Sequence, residues 1–223
     1  MPTETALSQL PSELLLLRLA PTMPVPDRPD LVASQASDVF ALWQAWEDES
    51  GRKQDIPYWA TVWPAARLAA SWLGMNPDRV KGKAVVDIGC GGGLAGIAAA
   101  KAGAGRVLAN DIDGAALEMT FRNAKANGVS IGIRPGNLLA APPSPEWEVL
   151  LVADLFYEKS VAEPMLAWLR AARAQGSLVL IADGNRPFGP RTGVRVLADA
   201  RYATDPDLEG SAHRSVRLLE LTG

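Results

Sequence analysis

Lys83-Ala-Val-Val-Asp-Ile-Gly-Cys-Gly-Gly-Gly-Leu94 decides how the rest of this chain reads. Ala84 to Ile88 is a short, valine-rich apolar run that stops at Gly89, the pattern of a buried parallel strand. Four of the five residues from Gly89 to Gly93 are glycine. The backbone there can turn tightly and approach a ligand that a Cβ would hold off. Leu94, Ile97, Ala98 and Lys101 follow at i, i+3, i+4 and i+7, so a helix opens directly behind the loop. Strand, glycine loop and helix make a cradle for a nucleotide.

Gly91, Gly93 and Gly96 match the G-x-G-x-x-G spacing of dinucleotide enzymes, in which a diphosphate sits on the helix N-terminus. Asp87 changes the reading. A carboxylate inside the strand, two residues before Gly89, is an awkward neighbour for a diphosphate but suits a cationic ligand. S-adenosylmethionine carries a sulfonium and an α-amino group and needs no phosphate site. The second apolar strand, Arg106 to Ala109, leads into Asn110-Asp-Ile-Asp113, which sets Asp111 where a carboxylate can bind both ribose hydroxyls. That role serves either cofactor.

The chain has 223 residues with 22 Lys and Arg against 25 Asp and Glu, a net charge of −3. This length suits one α/β domain with an N-terminal extension. The basic residues are scattered, so no stripe for nucleic acid is present. Cys90 is the single cysteine, so no intrachain disulfide can form and a reducing cytoplasm is expected. Cys90 reads as a small loop residue, because the single histidine, His213, is far away in sequence. No metal site is expected from one His and one Cys. Glu4 and Glu13 flank an N-terminus without a basic targeting region, the Leu14 to Leu17 run is short, and no membrane span is expected.

Before the cradle, Ser12 is placed to cap a short helix, and the prolines Pro21, Pro24, Pro26 and Pro29 read as a linker or strap. Val39, Leu42, Trp43 and Trp46 predict an amphipathic helix ending near Gly51, with both tryptophans in the core. Pro57-Tyr-Trp-Ala-Thr-Val-Trp-Pro64 brackets three aromatics with prolines. Pro64 fits the first position of a helix with Ala65, Leu68, Ala69 and Trp72 inward. The aromatics therefore belong to an entry loop, read as a lid over the ligand in preference to a hydrophobic plug.

Beyond the cradle the strand–helix pattern repeats. A helix from Asp113 to about Ala126 is expected to turn Leu117 and Phe121 inward and to stop at Asn127-Gly128. Ser130 to Arg134, Val149 to Ala153 and Leu178 to Ala182 read as further strands. A helix starting at Pro164 carries Met165, Trp168, Leu169 and Ala172 on one face. Val194 to Leu221 reads as a helix and two strands. Asp87, Asp111, Asn137 and Asp154 thus all fall at or near C-terminal strand ends, the edge where doubly wound sheets bind ligands.

Val85-Val-Asp-Ile-Gly-Cys-Gly-Gly-Gly93, with Asp111 and Asn137, resembles the class I, seven-strand methyltransferases over residues 57–185. More specifically, Pro57-Tyr-Trp-Ala, Trp63-Pro64 and Asp154-Leu-Phe-Tyr157 resemble the protein-lysine methyltransferases of the electron transfer flavoprotein β subunit kind, which carry D-x-x-Y/F after the fourth strand. Where those relatives have G-D-P-G-R after the fifth strand, this chain has Ala182-Asp-Gly-Asn-Arg186. The resemblance implies a doubly wound, Rossmann-like α/β fold with strand order 3-2-1-4-5-7-6 and an antiparallel last strand. It divides the chain into a helical extension at 1–56 and a catalytic domain at 57–223.

By the same resemblance, S-adenosylmethionine is the cofactor. Gly89, Gly91 and Gly93 hold its methionine part and Asp87 lies beside it; Asp111 and Ile112 take the ribose side. Asn137 lies by the adenine, Trp63 covers the cofactor, and Ala153 lines the site at the fourth strand end. Asp154 orients the acceptor amine, while Phe156 and Tyr157 wall its approach. The acceptor is then a protein lysine. A small-molecule N- or O-methyltransferase, a NAD-dependent dehydrogenase and a non-catalytic cofactor-binding protein stay open as alternatives. An open mouth would favour a protein substrate and a closed pocket a small one.

Overall fold

The computed structural model describes residues 10–223, so the part of the N-terminal targeting reading that rests on Glu4 lies outside it. Helix α1 (Glu13–Leu19) starts at Ser12, whose hydroxyl accepts from the Leu15 N–H at 3.3 Å. The proline run that follows is a hairpin and not a linker: strands β1 (Thr22–Val25) and β2 (Arg28–Ser34) pair antiparallel. Pro26 and Asp27 make the turn, with Asp27 at φ 66°. Proline followed by a residue of positive φ is the combination of type II turns. Pro24 faces Val32, and the Val32 N–H points away from β1 to the Asn127 side chain at 2.9 Å. The pair is therefore of the non-hydrogen-bonded kind, and the N–H that Pro24 lacks is not missed.

Asp38 and Gly51 bound helix α2 (Val39–Ser50), and Pro64 opens helix α3 (Pro64–Met75). Ala65, Leu68, Ala69 and Trp72 are buried as their spacing predicts. The doubly wound domain follows: β3 (Ala84–Ile88), α4 (Leu94–Lys101), β4 (Arg106–Asp111), α5 (Gly114–Ala126), β5 (Gly132–Pro135), β6 (Val149–Ala153), α6 (Lys159–Ala174) and β7 (Leu178–Asp183). The tail is β8 (Val194–Ala203), a single turn α7 (Pro206–Glu209) and β9 (His213–Leu221).

Seven strands form one sheet in the order β5-β4-β3-β6-β7-β9-β8. Counted from β3, this is 3-2-1-4-5-7-6, with β9 antiparallel to both neighbours. The strand period of two divides the core cleanly. Val85, Leu151, Leu180 and Ala182 pack on the α3 and α4 side, while Val86, Ile88, Leu150, Val152, Val179 and Ile181 pack on the α6 side. Because β4 and β6 flank β3 on opposite sides, a crevice opens at their C-terminal ends.

Two helix expectations are corrected. Phe121 is exposed (52%), because α5 buries the face of Ala115, Ala116, Met119, Thr120 and Asn123 and turns the next residue outward. Pro164 lies inside α6, which begins at Lys159. It sits on the solvent face of the second turn, where the helix tolerates one lost backbone bond. The α6 face of Met165, Trp168, Leu169 and Ala172 is buried as expected.

The N-terminal helices join the domain through one apolar cluster, and the hairpin residues Val25, Leu31 and Ala33 pack into the core on the α3 and α4 side. Leu15, Leu16, Leu42, Trp46 and Trp59 pack with Ala115, Ala116 and Met119 of α5. Two α5-end amides grip β2: Asn127 accepts from the Val32 N–H and donates to the Val32 carbonyl (2.7 Å), and Asn123 accepts from Ser34 N–H (2.9 Å). Among the described residues, no helix is long and apolar enough to cross a membrane, and no group of three potential ligands could hold a metal ion.

Candidate active site

The cradle is built almost wholly from backbone. Gly91 and Gly93 adopt φ of 54° and 81°, a region side-chain-bearing residues avoid. A Cβ on Gly91 would meet nothing within 4 Å, whereas one on Gly93 would strike Thr120. Gly91 therefore faces open space, the one place in the loop where a ligand can lie against the main chain. Gly92 is glycine for another reason: a Cβ there would come 2.8 Å from the Trp59 carbonyl. The entry loop rests on the cradle at that point. Gly89 is covered by Leu155 from across the crevice.

Asp111, half-buried at the β4 end, accepts from the Gly91 N–H on Oδ2 (2.9 Å) and from the Asp113 N–H on Oδ1 (3.0 Å). Each carboxylate oxygen keeps a further lone pair, so a vicinal diol can still be bound. Burial pushes the Asp111 carboxyl up from its ordinary range against the pull of these backbone donors. Asp113 caps α5 through Ala115 N–H at 2.8 Å. Ile112 between them is exposed. Asn137, also exposed, accepts from the Leu139 N–H at 3.0 Å. Its loop is tied to β4 by Asn110, whose amide donates to the Arg134 and Gly136 carbonyls at 2.8 Å each.

Asp87 is buried, and its Oδ2 accepts from the Gly96 N–H at 2.8 Å. That N–H belongs to the first turn of α4, where a diphosphate would need free donors. The carboxylate occupies the anion position itself. Burial pushes Asp87 up to about 7, opposed by the Gly96 bond and reinforced by the charge of Asp111. Cys90 is held within the loop, its Sγ 3.4 Å from Thr120 Oγ1. Burial raises its thiol far above the range of a reactive thiolate.

Across the crevice, charged side chains take over. β6 ends at half-buried Ala153, and Asp154 leaves the strand in the left-handed region at φ 60°. Its carboxylate is nearly enclosed. Oδ1 accepts from Arg186 Nε at 2.8 Å and Oδ2 from Arg186 Nη2 at 2.5 Å. Asp183, at the β7 end, is buried and its carboxyl is raised by that burial. Glu209 of α7 comes within 3.0 Å of Arg186. Tyr157 points outward, half-exposed, and its phenol is raised first by burial, then by the nearby Glu158, Tyr58, Asp111 and Asp154. Those groups border one mouth.

Phe156 does not. It is 0% exposed and packs beneath the sheet in the α6-side core, so it supports the Asp154–Tyr157 turn and cannot wall an acceptor. The aromatic entry loop divides likewise. Trp59 is a plug, buried edge-on to Trp46 at 5.9 Å. Tyr58 and Trp63 meet at a tilt of 57° with ring centroids 5.6 Å apart, and Trp63 Nε1 donates to the Tyr58 carbonyl at 2.9 Å. Of the two α2 tryptophans, Trp46 is core; Trp43 is half-buried and donates to the Gln54 carbonyl at 2.9 Å.

The sequence motifs assign no site role to Arg186, Glu209 or Asn110. For Arg186 the available signal is its retention at the end of an otherwise altered pattern. Glu209 carries none, because only the β8–β9 connection brings it to the crevice.

The family model described as Ribosomal protein L11 methyltransferase (PrmA) matches residues 64–150. The electron transfer flavoprotein beta subunit lysine methyltransferase of Xenopus laevis is 39% identical over 132 residues, 58% of this chain and 53% of that protein. The human protein of the same name is 36% identical over 146 residues, 64% of this chain and 55% of that one. The matching region thus spans about half the length of these relatives. A Pyrococcus horikoshii structure named as a candidate RNA methyltransferase superposes with a TM-score of 0.56 at 16% identity, covering 77% of this chain and 91% of that one. That likeness shows the Rossmann-like fold. The motif resemblance is thus matched in sequence over part of the chain, and the fold it implies is the one observed.

Proposed function

We propose that this chain is an S-adenosylmethionine-dependent methyltransferase that methylates a lysine of a protein substrate, one like the electron transfer flavoprotein β subunit. The observation that carries the cofactor assignment is Asp87 on the α4 N-terminus. A buried carboxylate there repels a diphosphate and attracts a sulfonium and an ammonium. The open face of Gly91 and the spare lone pairs of Asp111 fit the rest of the molecule. The names of the 35–39% identical vertebrate relatives support the lysine acceptor.

The bound cofactor supplies a methyl group on a positively charged sulfur, which needs no further activation. The chain must therefore position an amine that has lost its proton, since a free lysine titrates at ~10.4. Asp154 is fixed at the strand end across from the cradle, and its oxygens retain acceptor capacity beyond the Arg186 pair. Tyr157, Tyr58 and Trp63 offer aromatic faces around the mouth, which favour a cationic side chain. That mouth is open: Tyr58, Tyr157 and Ile112 are exposed at 48%, 49% and 80%. An open mouth favours a protein acceptor over a small molecule. A cytoplasmic setting accords with the single cysteine.

Calorimetry with S-adenosylmethionine and with NAD tests the cofactor, and only the former is expected to bind. Labelled S-adenosylmethionine in a soluble extract then tests the acceptor. Label is expected in a discrete protein band; label in small molecules alone would overturn the lysine assignment.

A further inference from the structure

The altered Ala182-Asp-Gly-Asn-Arg186 motif keeps its arginine, and the structure gives that arginine a task. Asp154 stands in the left-handed backbone region, which costs a non-glycine residue energy unless its surroundings hold it there. Arg186 holds it. The guanidinium meets the carboxylate at two points, 2.8 and 2.5 Å, the fork geometry that fixes a carboxylate in plane. Gly184 must be glycine, since a Cβ would lie 2.7 Å from Arg214 and 3.0 Å from Asp154 Oδ1. Asn185 takes φ 58° to swing Arg186 back toward β6.

The arginine is approached in turn by charge from the chain's tail, at ion-pair distance. Glu209 Oε2 lies 3.0 Å from Arg186 Nη2 and 2.6 Å from Arg214 Nε, with the Glu209 side chain 3% exposed. Arg214 completes the frame, donating to the Gly184 carbonyl at 3.1 Å and the Glu209 carbonyl at 2.7 Å. Burial disfavours the Arg186 charge, but the Asp154 bond and the charges of Asp154 and Glu209 outweigh it and raise its basicity. Carboxylates and guanidiniums thus alternate from the strand end to the β8–β9 turn.

We infer that Arg186 is a positioning residue, which orients the Asp154 carboxylate toward the crevice, and that Glu209 extends this frame so that the β8–β9 turn is part of the reaction site. The reaction itself rests on the methyltransferase reading above; the clamp is a property of the fold. A pair that served stability alone would change melting and leave turnover untouched.

The test uses full-length protein with saturating cofactor and single-turnover transfer. Arg186→Lys keeps the charge and loses the two-point grip, so the rate is expected to fall about tenfold or more with the cofactor dissociation constant within about twofold. Arg186→Ala should lose more, and millimolar guanidinium should restore part of that loss. In an Asp154→Asn background, Arg186→Lys should slow the reaction little further, because the group it positions is already altered. Glu209→Gln should give a smaller fall in rate with unchanged cofactor affinity. Wild-type turnover in Arg186→Lys, or fully additive losses with Asp154→Asn, would overturn the inference.

A second measurement does not depend on activity. A double-mutant cycle in urea unfolding over Asp154→Asn and Arg186→Met should show coupling of about tenfold in the unfolding equilibrium. Coupling below about twofold overturns the clamp whatever the enzyme transfers. Strong coupling in a protein that methylates nothing would support the clamp and sink the methyltransferase reading instead.

Discussion

The two walls of the crevice are made of different material. From Ala84 to Asp113 the contacts are those of main chain: N–H groups of Gly91, Gly96 and Asp113 on carboxylates, and carbonyls of Arg134 and Gly136 on one amide. From Asp154 to Arg186 the contacts are between long charged side chains, closed by Glu209 from the far end of the chain. A wall of backbone donors is fixed by local sequence and suits a ligand that never varies. A wall of side chains can be rebuilt by single substitutions. The altered residues between Asp183 and Arg186 lie on this second wall.

If the walls are separable in function, substitutions on one should leave the other intact. The largest effect is expected at Asp154. Asp154→Asn keeps the shape and tolerates the positive φ, since asparagine enters that region readily. Turnover should fall about 10²-fold or more, the scale for losing a positioned acid–base group, while cofactor affinity changes by less than about threefold. Single-turnover transfer across pH 7 to 9.5 reads both. Equal losses of binding and rate would mean that the walls are one unit.

Next comes the cradle. Asp111→Asn should weaken S-adenosylmethionine by roughly 10- to 100-fold, because hydrogen bonds to a charged group contribute ~1.5–3 kcal/mol. Asparagine serves better than alanine here, since two backbone N–H groups lean on this side chain. An unchanged dissociation constant in titration calorimetry would place the ribose elsewhere.

Asp87 gives a smaller, pH-dependent effect. Its folded value of about 7 lies above that of an unfolded aspartate, so between ~4 and ~7 the folded state holds a proton that the unfolded state has released. Stability should therefore decline as pH rises through that window and level off above it. A cationic ligand favours the ionised form, so affinity for S-adenosylmethionine should rise as pH passes 7. Asp87→Asn, which can still accept from Gly96, should flatten both curves. Melting and calorimetry from pH 5 to 8.5 compare them, and an identical slope in the variant would remove Asp87 from the account.

The smallest effect belongs to Phe156. Phe156→Leu should cost about 1–1.5 kcal/mol of stability as a nearly volume-conserving core change, with turnover within about twofold at 25 °C. A large fall in turnover without loss of stability would return Phe156 to the reaction wall.

The difference between the walls also explains what could be read in advance. β3, α4 and the strand-end placement of Asp111 follow from valine runs, glycine spacing and helical period, all local properties. Asp154 was legible as a strand-end carboxylate, but its partner was not, because an ion pair carries no periodicity. Phe121 and Phe156 differ from expectation for a related reason. Spacing locates an apolar face, yet which neighbour covers it depends on packing from elsewhere: the N-terminal helices beside α5 and α6 beneath the sheet. The hairpin of β1 and β2 is masked by its prolines, of which Pro24 lies where no ladder N–H is required.

The grip of Asn123 and Asn127 on β2 bears on solubility. A two-stranded hairpin leaves the outer rim of each strand ready to zip onto another molecule. Here the Asn127 amide gives to and takes from Val32 as a neighbouring strand would, and Asn123 does half the same for Ser34. Two side chains of a helix thus stand in for a missing strand. The β2 rim is thereby occupied without a further strand, and the proline-rich segment is fastened to the helix that follows Asp111.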